Sequence, residues 1–418
     1  MERIERIKFI LKEANPWWRQ PNYRVENYGF REVFSVLKRF FSLPQILALV
    51  GLRRTGKTTL LLKTIEIFLE KLNSKNILYF SFDDFWDLDL EEVMLAYKEI
   101  FPEKELKKER FLFCFDEIQK LENWQEKLKR LYDLYPNIKI VISGSESLFI
   151  RKLSKESLAG RLFEFKISPL NFKEYIIFTK KELILKNPEL YKEEILRLYQ
   201  DFLKTNGFPE LANTKDSMVI HRYVRDLVID KIIFKDIPQI FKVKNIDVLL
   251  DILENIIFFP GQLIDITKLS KELQITRQVV SAYLDYLEKS FLIKKLYNFS
   301  KNLRKTKRSL KKYYPRIIFP SLVEENFSLS FENSLIWQLD AQFFYRDSYK
   351  NEVDIVLIGK NKNILPIEIK TGKIEFRGIS YFIKRYKPKE AIIITLNKEE
   401  KQGKIRIIPF YKYLLKEI

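Results

Sequence analysis

Gly51, Gly56, Lys57 and Thr58 fall in "PQILALVGLRRTGKTTLLLKTIEIFLEKL", between a short apolar run and a stretch with helical spacing. The pattern G-x-x-x-x-G-K-T at a strand-to-helix turn gives each position a task. The two glycines let the backbone curl so that its N–H groups face a phosphate at the helix N-terminus. Lys57 reaches the β- and γ-phosphates, and the Thr58 hydroxyl ligates Mg²⁺. The loop residues Gly51, Leu52, Arg53, Arg54, Thr55, Gly56, Lys57, Thr58 and Thr59 are therefore the expected ATP contacts.

A second element belongs with the loop. In "RFLFCFDEIQ" the run Phe111 to Phe115 reads as a buried parallel strand that ends in Asp116 and Glu117. Asp116 would hold Mg²⁺ through water and Glu117 would orient and polarise the attacking water. An acidic pair after a strand also serves as a helix N-cap, but a phosphate loop upstream and the strand-like run "NILYFSF" between the two favour the catalytic reading. "NIKIVISGSES" adds a third strand ending in small polar residues, so Ser143 or Ser145 would sense the γ-phosphate; a serine turn without that role is the alternative.

Near the other end, Glu352 and Asp354 alternate with Val353 and Ile355 in "NEVDIVLIG". In "ILPIEIKTG", Glu368 and Lys370 alternate with Ile367 and Ile369. A hairpin through "KNKN" would set Asp354 beside Glu368 and Lys370, with Glu332 of "LSFENSLIWQL" on a helix as a further acid. Two carboxylates suit Mg²⁺ or Mn²⁺ against a phosphodiester, while a lysine activates water and offsets charge. A surface hairpin with a Glu–Lys pair, worth at most about 1 kcal/mol, would account for Glu-x-Lys but leave Asp354 without a task.

The elements that must position these groups follow from pattern and composition. At 418 residues, with 46% hydrophobic and 31% charged residues and only 11 Gly and 15 Pro, the chain suits several packed, helix-rich domains rather than disorder. The expected class is α/β: a P-loop core of parallel sheet and flanking helices with an N-terminal helical arm over 1–170, a helical stretch over 171–245, a winged helix with basic wing over 246–316, and an α/β domain over 317–418; family resemblance of the motifs makes the second a helical lid and the last restriction-endonuclease-like. One cysteine excludes an internal disulfide, and one histidine excludes a histidine-cluster metal site or a Ser-His-Asp triad. With no apolar run near membrane-spanning length, a soluble cytoplasmic protein is expected.

A net charge of +19 attracts polyanions, although a Lys- and Glu-rich thermophile surface has a similar composition. In "IDITKLSKELQITRQVVSAYLDYLEKSFLIKKLYNFS" a short helix, a turn at Gln274 and Ile275, and a second helix capped by Thr276 read as a winged helix. Arg277, Gln278, Ser281 and Lys289 would face a major groove, unless the module packs against protein instead. The ten cations from Lys294 to Arg316, among them Lys294, Lys295, Arg304, Lys305, Lys307 and Arg308, are interleaved with Tyr297, Phe299, Tyr313 and Tyr314 and include no acidic neighbour. That suits a phosphate backbone and stacked bases, with a solvated linker as the alternative.

The run from "GLRRTGKTTL" through "FCFDEIQ", "ISGSES" and "LAGRLFEFKISPLNFKEY", with "NPWWRQ" and "NGFPEL", resembles prokaryotic, archaeal-type AAA+ ATPases that carry a winged helix and a C-terminal DUF4143-like region. Asp354 with Glu368-x-Lys370 resembles the PD-(D/E)xK nuclease-like superfamily, here with Val353 in place of the usual proline; that superfamily includes inactive and purely DNA-binding members. The resemblance implies ATP hydrolysis, Mg²⁺ at Thr58 and Asp116, and Mg²⁺ or Mn²⁺ at Asp354, Glu368 and Glu332. It makes Arg161 of "AGR" an arginine finger or sensor, acting in cis or, in a homo-oligomer, in trans. The expected partners are ATP and DNA, with no membrane. A nucleotide-dependent switch or scaffold is the competing function.

Overall fold

Strands buried on both faces are apolar along most of their length, as Ile46–Val50 and the run Phe111 to Phe115 are in the first sheet. The computed structural model describes residues 3–20, 22–26, 29–83, 88–144, 158–359 and 362–415. The described chain divides into two compact units, 1–169 and 170–418.

In the first unit, β1 (Ile46–Val50), β2 (Ile77–Ser81), β3 (Phe111–Asp116), β4 (Ile138–Gly144) and β5 (Leu162–Lys166) form an all-parallel sheet in the order β2-β3-β4-β1-β5. Strand alternation feeds two separate cores. Ile46, Ala48 and Val50, with Phe111, Phe113 and Phe115, pack on the helices Leu90–Ile100 and Trp124–Leu134. Leu47, Leu49, Leu112 and Cys114 face Leu60, Leu61 and Ile65 of the helix Lys57–Leu69. The strand that lies between β1 and β3 in space is β4; "NILYFSF", which lies between the loop and Asp116 in sequence, becomes the edge strand β2.

The free edge of β2 is covered by the N-terminal arm. Asn15 Oδ1 accepts from Tyr79 N–H at 2.7 Å, and its Nδ2 donates to Tyr79 O at 2.9 Å. The indoles of Trp17 and Trp18 both donate to Ile77 O. The "NPWW" run thus satisfies backbone groups that an open edge would expose.

The second unit contains two five-stranded sheets among its described residues. One joins β6 (Gln262–Ile264), β7 (Ile293–Asn298), β8 (Lys311–Pro315), β9 (Phe343–Arg346) and β10 (Glu352–Val353) in the order β10-β9-β7-β8-β6. The other joins β11 (Ile355–Ile358), β12 (Ile364–Lys370), β13 (Ala391–Thr395), β14 (Glu400–Gln402) and β15 (Ile405–Pro409) in the order β11-β12-β13-β15-β14. β11 and β12 are the antiparallel hairpin expected from sequence, with Ile355 opposite Ile367.

Ile367, Ile369, Ile392 and Ile394 pack with Tyr199, Phe202 and Phe331 on one side of this sheet. Ala391 and Ile393 pack with Ile379 of the helix Arg377–Tyr386 on the other. Gly378 lies where a Cβ would come within 1.9 Å of Glu352 O. Gly378→Ala should therefore lower the stability of the second unit by about 1–3 kcal/mol, read as a shifted denaturant midpoint. Gly372→Ala, with open space around it, should leave the midpoint in place.

Candidate functional site

β1 ends at Val50 and the chain turns sharply through Gly51, where a Cβ would lie 2.1 Å from Ile167 O. Gly56 sits at φ +90°, a left-handed conformation that favours glycine, and caps the helix that begins at Lys57. The loop closes on itself: Lys57 Nζ donates to Gly51 O at 3.1 Å and to Leu52 O at 2.9 Å, and Thr55 Oγ1 donates to Leu52 O. Arg31, absent from the sequence expectation, donates through NH1 to Thr55 O at 2.9 Å and braces the loop from outside. Thr58 and Arg54 are exposed, while Arg53 and Thr59 are half-buried.

Beside the loop stands Asp116, 3% exposed. Thr58 Oγ1 donates to its Oδ2 at 2.6 Å, Tyr79 OH to the same oxygen at 3.1 Å, and Ser143 Oγ and the Glu117 N–H to Oδ1. Burial raises the Asp116 carboxyl above its usual range, and the Thr58 hydrogen bond works against that shift. Glu117 follows at φ +49° with its carboxylate held by Gln119 Nε2. The hydroxyl of Thr58 next to a buried carboxylate is a donor set that fits Mg²⁺ completed by water and phosphate oxygens.

Tyr79 escaped the sequence reading because its link to Asp116 depends on the pairing of β2 with β3, where Tyr79 lies opposite Cys114. Its phenol is pushed up by burial and by the Asp116 charge, so it stays a donor. Ser145 lies outside the described residues. Arg161 is not brought to the loop: its carbonyl accepts from Ile46 N–H at the start of β1, and its guanidinium pairs with Asp133 at 3.0 Å. The four strand steps from Ile46 to Val50 separate it from the loop by about 13 Å, so within one chain it makes no arginine finger.

The second constellation is also assembled. Glu368 Oε1 pairs with Lys370 Nζ at 2.8 Å, and Asp354 Oδ2 accepts from Ile369 N–H at 2.8 Å. Glu332 Oε1 accepts from Tyr314 OH at 2.6 Å. Burial and the Glu332 charge push the Asp354 carboxyl up to about 7. Burial likewise raises Glu368, against the pull of Lys370. Two members were not foreseen. Lys312 Nζ reaches Glu352 Oε1 and lies 3.9 Å from Glu332 Oε1, and Arg346 NH1 donates to Glu352 Oε2 at 2.9 Å. Among the described residues no three Asp, Glu, His or Cys side chains are grouped as a metal site. Lys312 stands on Glu352 and Glu332 and Lys370 on Glu368, so ammonium groups already occupy carboxylates that a divalent ion would need.

The basic segment divides into two groups. Arg304, Lys307 and Arg308 are exposed on the helix Leu303–Arg308, and Arg277 and Gln278 are exposed at the start of the helix Arg277–Lys289, whose cap is Thr276. The Lys305 side chain lies outside what the structure describes. Lys294 instead pairs with Asp340 at 2.5 Å over the Trp337 ring, and Lys295 pairs with Glu288 at 2.5 Å. Phe299, Tyr313 and Tyr314 are buried in the core and so are withdrawn from base stacking.

Residues 43–176 match the family described as AAA domain, 196–316 match a domain of unknown function, DUF8612, and 332–413 match another, DUF4143. The chain is 30% identical to an uncharacterized protein, MJ1544, of Methanocaldococcus jannaschii, over 89% of this chain and 88% of that one. It is 27% identical to a second uncharacterized protein of that organism, MJ1637, over 89% and 85%. Among solved structures, the Aeropyrum pernix ORC1 protein in complex with DNA is similar at 14% identity and a TM-score of 0.35, over 77% of this chain and 96% of that one.

Replacing the lysine that fills the loop should empty it of function without unfolding the unit. Lys57→Ala is expected to weaken binding of a fluorescent ATP analogue by about 100-fold, the loss of a charge-assisted contact worth about 3 kcal/mol. An unchanged Kd would remove the loop from nucleotide binding.

Proposed function

Because the chain belongs to the family of the Methanocaldococcus jannaschii protein MJ1544 and carries an AAA domain in its first unit, we propose that it is a Mg²⁺-dependent ATP hydrolase that acts on DNA. The observation that carries this reading is the 2.6 Å contact between Thr58 Oγ1 and the buried Asp116, directly beside a loop that Lys57 already fills with positive charge. When ATP enters, the Lys57 ammonium exchanges Gly51 O and Leu52 O for phosphate oxygens, and the loop N–H groups take the rest. Bound Mg²⁺ would offset the charge that develops on the β- and γ-phosphoryl oxygens. Thr58 and Asp116 would hold it, with Tyr79 and Ser143 fixing the Asp116 carboxylate. Glu117, released from Gln119, would orient the attacking water, and Arg161 would serve only the site of a neighbouring copy.

Action on DNA is supported by the net charge of +19 and by the exposed cations Arg277, Arg304, Lys307 and Arg308. The helix Ile246–Phe258, β6, the helices Ile266–Glu272 and Arg277–Lys289, and the β7–β8 pair follow one another as in a winged helix. In this reading Gln278 and Arg277 enter a groove and the 303–308 helix follows the backbone. The sheet carrying Asp354, Glu368 and Lys370 supports a nuclease-like fold for the second unit. Lys312 favours the version of that reading in which the unit grips DNA or protein rather than cutting.

Glu117→Gln should reduce kcat for ATP by about 100-fold or more, close to 3 kcal/mol in the barrier, while ATP stays bound; full turnover in this variant would take Glu117 out of the reaction. For DNA, the salt slope of binding should fall by about 2 when Arg304→Ala and Arg308→Ala are combined. Lys294→Met should leave that slope unchanged, because its ammonium is already engaged by Asp340.

A further inference from the structure

Lys312 is 8% exposed, yet it is the residue of "KKYYP" whose neighbour Lys311 faces the other side of β8. Its strand is fixed on both edges: Leu296 lies opposite it on β7 and Leu263 on β6. An ammonium offers only donors, so a buried one must be surrounded by acceptors. The acceptors here are Glu352 Oε1, Glu332 Oε1 and, at 3.5 Å, Tyr314 OH. Four carboxylates, Glu332, Glu352, Asp354 and Glu368, gather around this strand and β12, while Lys312, Lys370 and Arg346 supply the opposing charge. The Asp354 charge also acts on Lys312. A divalent ion held at Asp354 with Glu332, at about 2.0–2.1 Å from each oxygen, would compete for a carboxylate that already faces this ammonium.

We propose that the Lys312 ammonium, held by Glu352 and Glu332 beside Asp354, takes the place of a metal ion, so that the second unit keeps its nuclease-like site closed without metal. This rests on the nuclease-like reading of that unit and is independent of ATP hydrolysis in the first. The sheet supplies the cation from a strand outside the hairpin, and Glu352 and Tyr314 orient it. Glu368 Oε2, buried without a hydrogen-bond partner, is the oxygen that a metal would take if the lysine were removed.

The test is Mn²⁺ binding to the full chain without nucleotide, followed by the electron paramagnetic resonance of free Mn²⁺, for the natural sequence, Asp354→Asn, Lys312→Met and the double variant. Any Mn²⁺ held near Thr58 is common to all four and cancels. The natural sequence and Asp354→Asn should bind Mn²⁺ alike. Lys312→Met should bind one more Mn²⁺, at least about 10-fold tighter than any cluster binding in the natural sequence, or about 1.4 kcal/mol, and lose it when Asp354→Asn is added. Lys312→Met should also unfold at lower temperature, with Mn²⁺ restoring the loss.

Weaker Mn²⁺ binding by Asp354→Asn than by the natural sequence would overturn the proposal and leave the nuclease-like reading standing, since the cluster would then take metal beside the lysine. A folded Lys312→Met that gains no Mn²⁺ would overturn both. If that variant does not fold, the comparison of the natural sequence with Asp354→Asn decides alone.

Discussion

A carboxylate taken out of water must be compensated where it sits, and both constellations in this protein are solutions to that constraint. Asp116 is compensated by hydroxyls: Thr58, Tyr79 and Ser143 converge on it from a helix and two strands. Neutral donors leave the charge available, so the same oxygens can accept a metal-bound water. Around Asp354, Glu352 and Glu368 are compensated by the ammonium groups of Lys312 and Lys370, while Asp354 itself takes the Ile369 N–H. The difference in partner type, more than any difference in acidic residues, distinguishes the two sites.

The architecture follows from those needs. Asp116 must end a strand, and Thr58 must begin a helix beside it, which the parallel order β3-β4-β1 provides. Tyr79 must hold its place on an edge strand, and the arm does this by closing the β2 edge with Asn15, Trp17 and Trp18. In the second unit, alternation along β12 turns Ile367 and Ile369 into the core and leaves Glu368 and Lys370 paired on the other face.

What the sequence made legible was local. The glycines and lysine of the loop, the apolar run before Asp116, and the alternation of Glu368 and Lys370 are all set within a few residues, and the structure assembles them as their spacing implies. The roles of Tyr79, Lys312, Arg346 and Arg31 were not legible because each acts across a strand pairing or a long loop closure. The aromatic residues of the basic stretch depart from the expectation for a related reason. Tyr313 and Tyr314 have the composition of a stacking surface, but β8 lies between β7 and β6, and a strand flanked on both sides buries what it carries. Arg161 has the right neighbours in sequence and stands at the wrong end of β1 within its own chain.

In the proposed reading, the acidic site at Asp116 takes a metal with ATP, and the one around Asp354 is closed by its own lysine. A crystal structure of the full chain with a non-hydrolysable ATP analogue and Mn²⁺ tests it through the anomalous signal of manganese. The account predicts a manganese peak between the triphosphate, Thr58 and Asp116, and none between Asp354 and Glu368, with Lys312 still seated on Glu352 and Glu332. A peak at Asp354 with Lys312 displaced, or a loop without nucleotide, would contradict it.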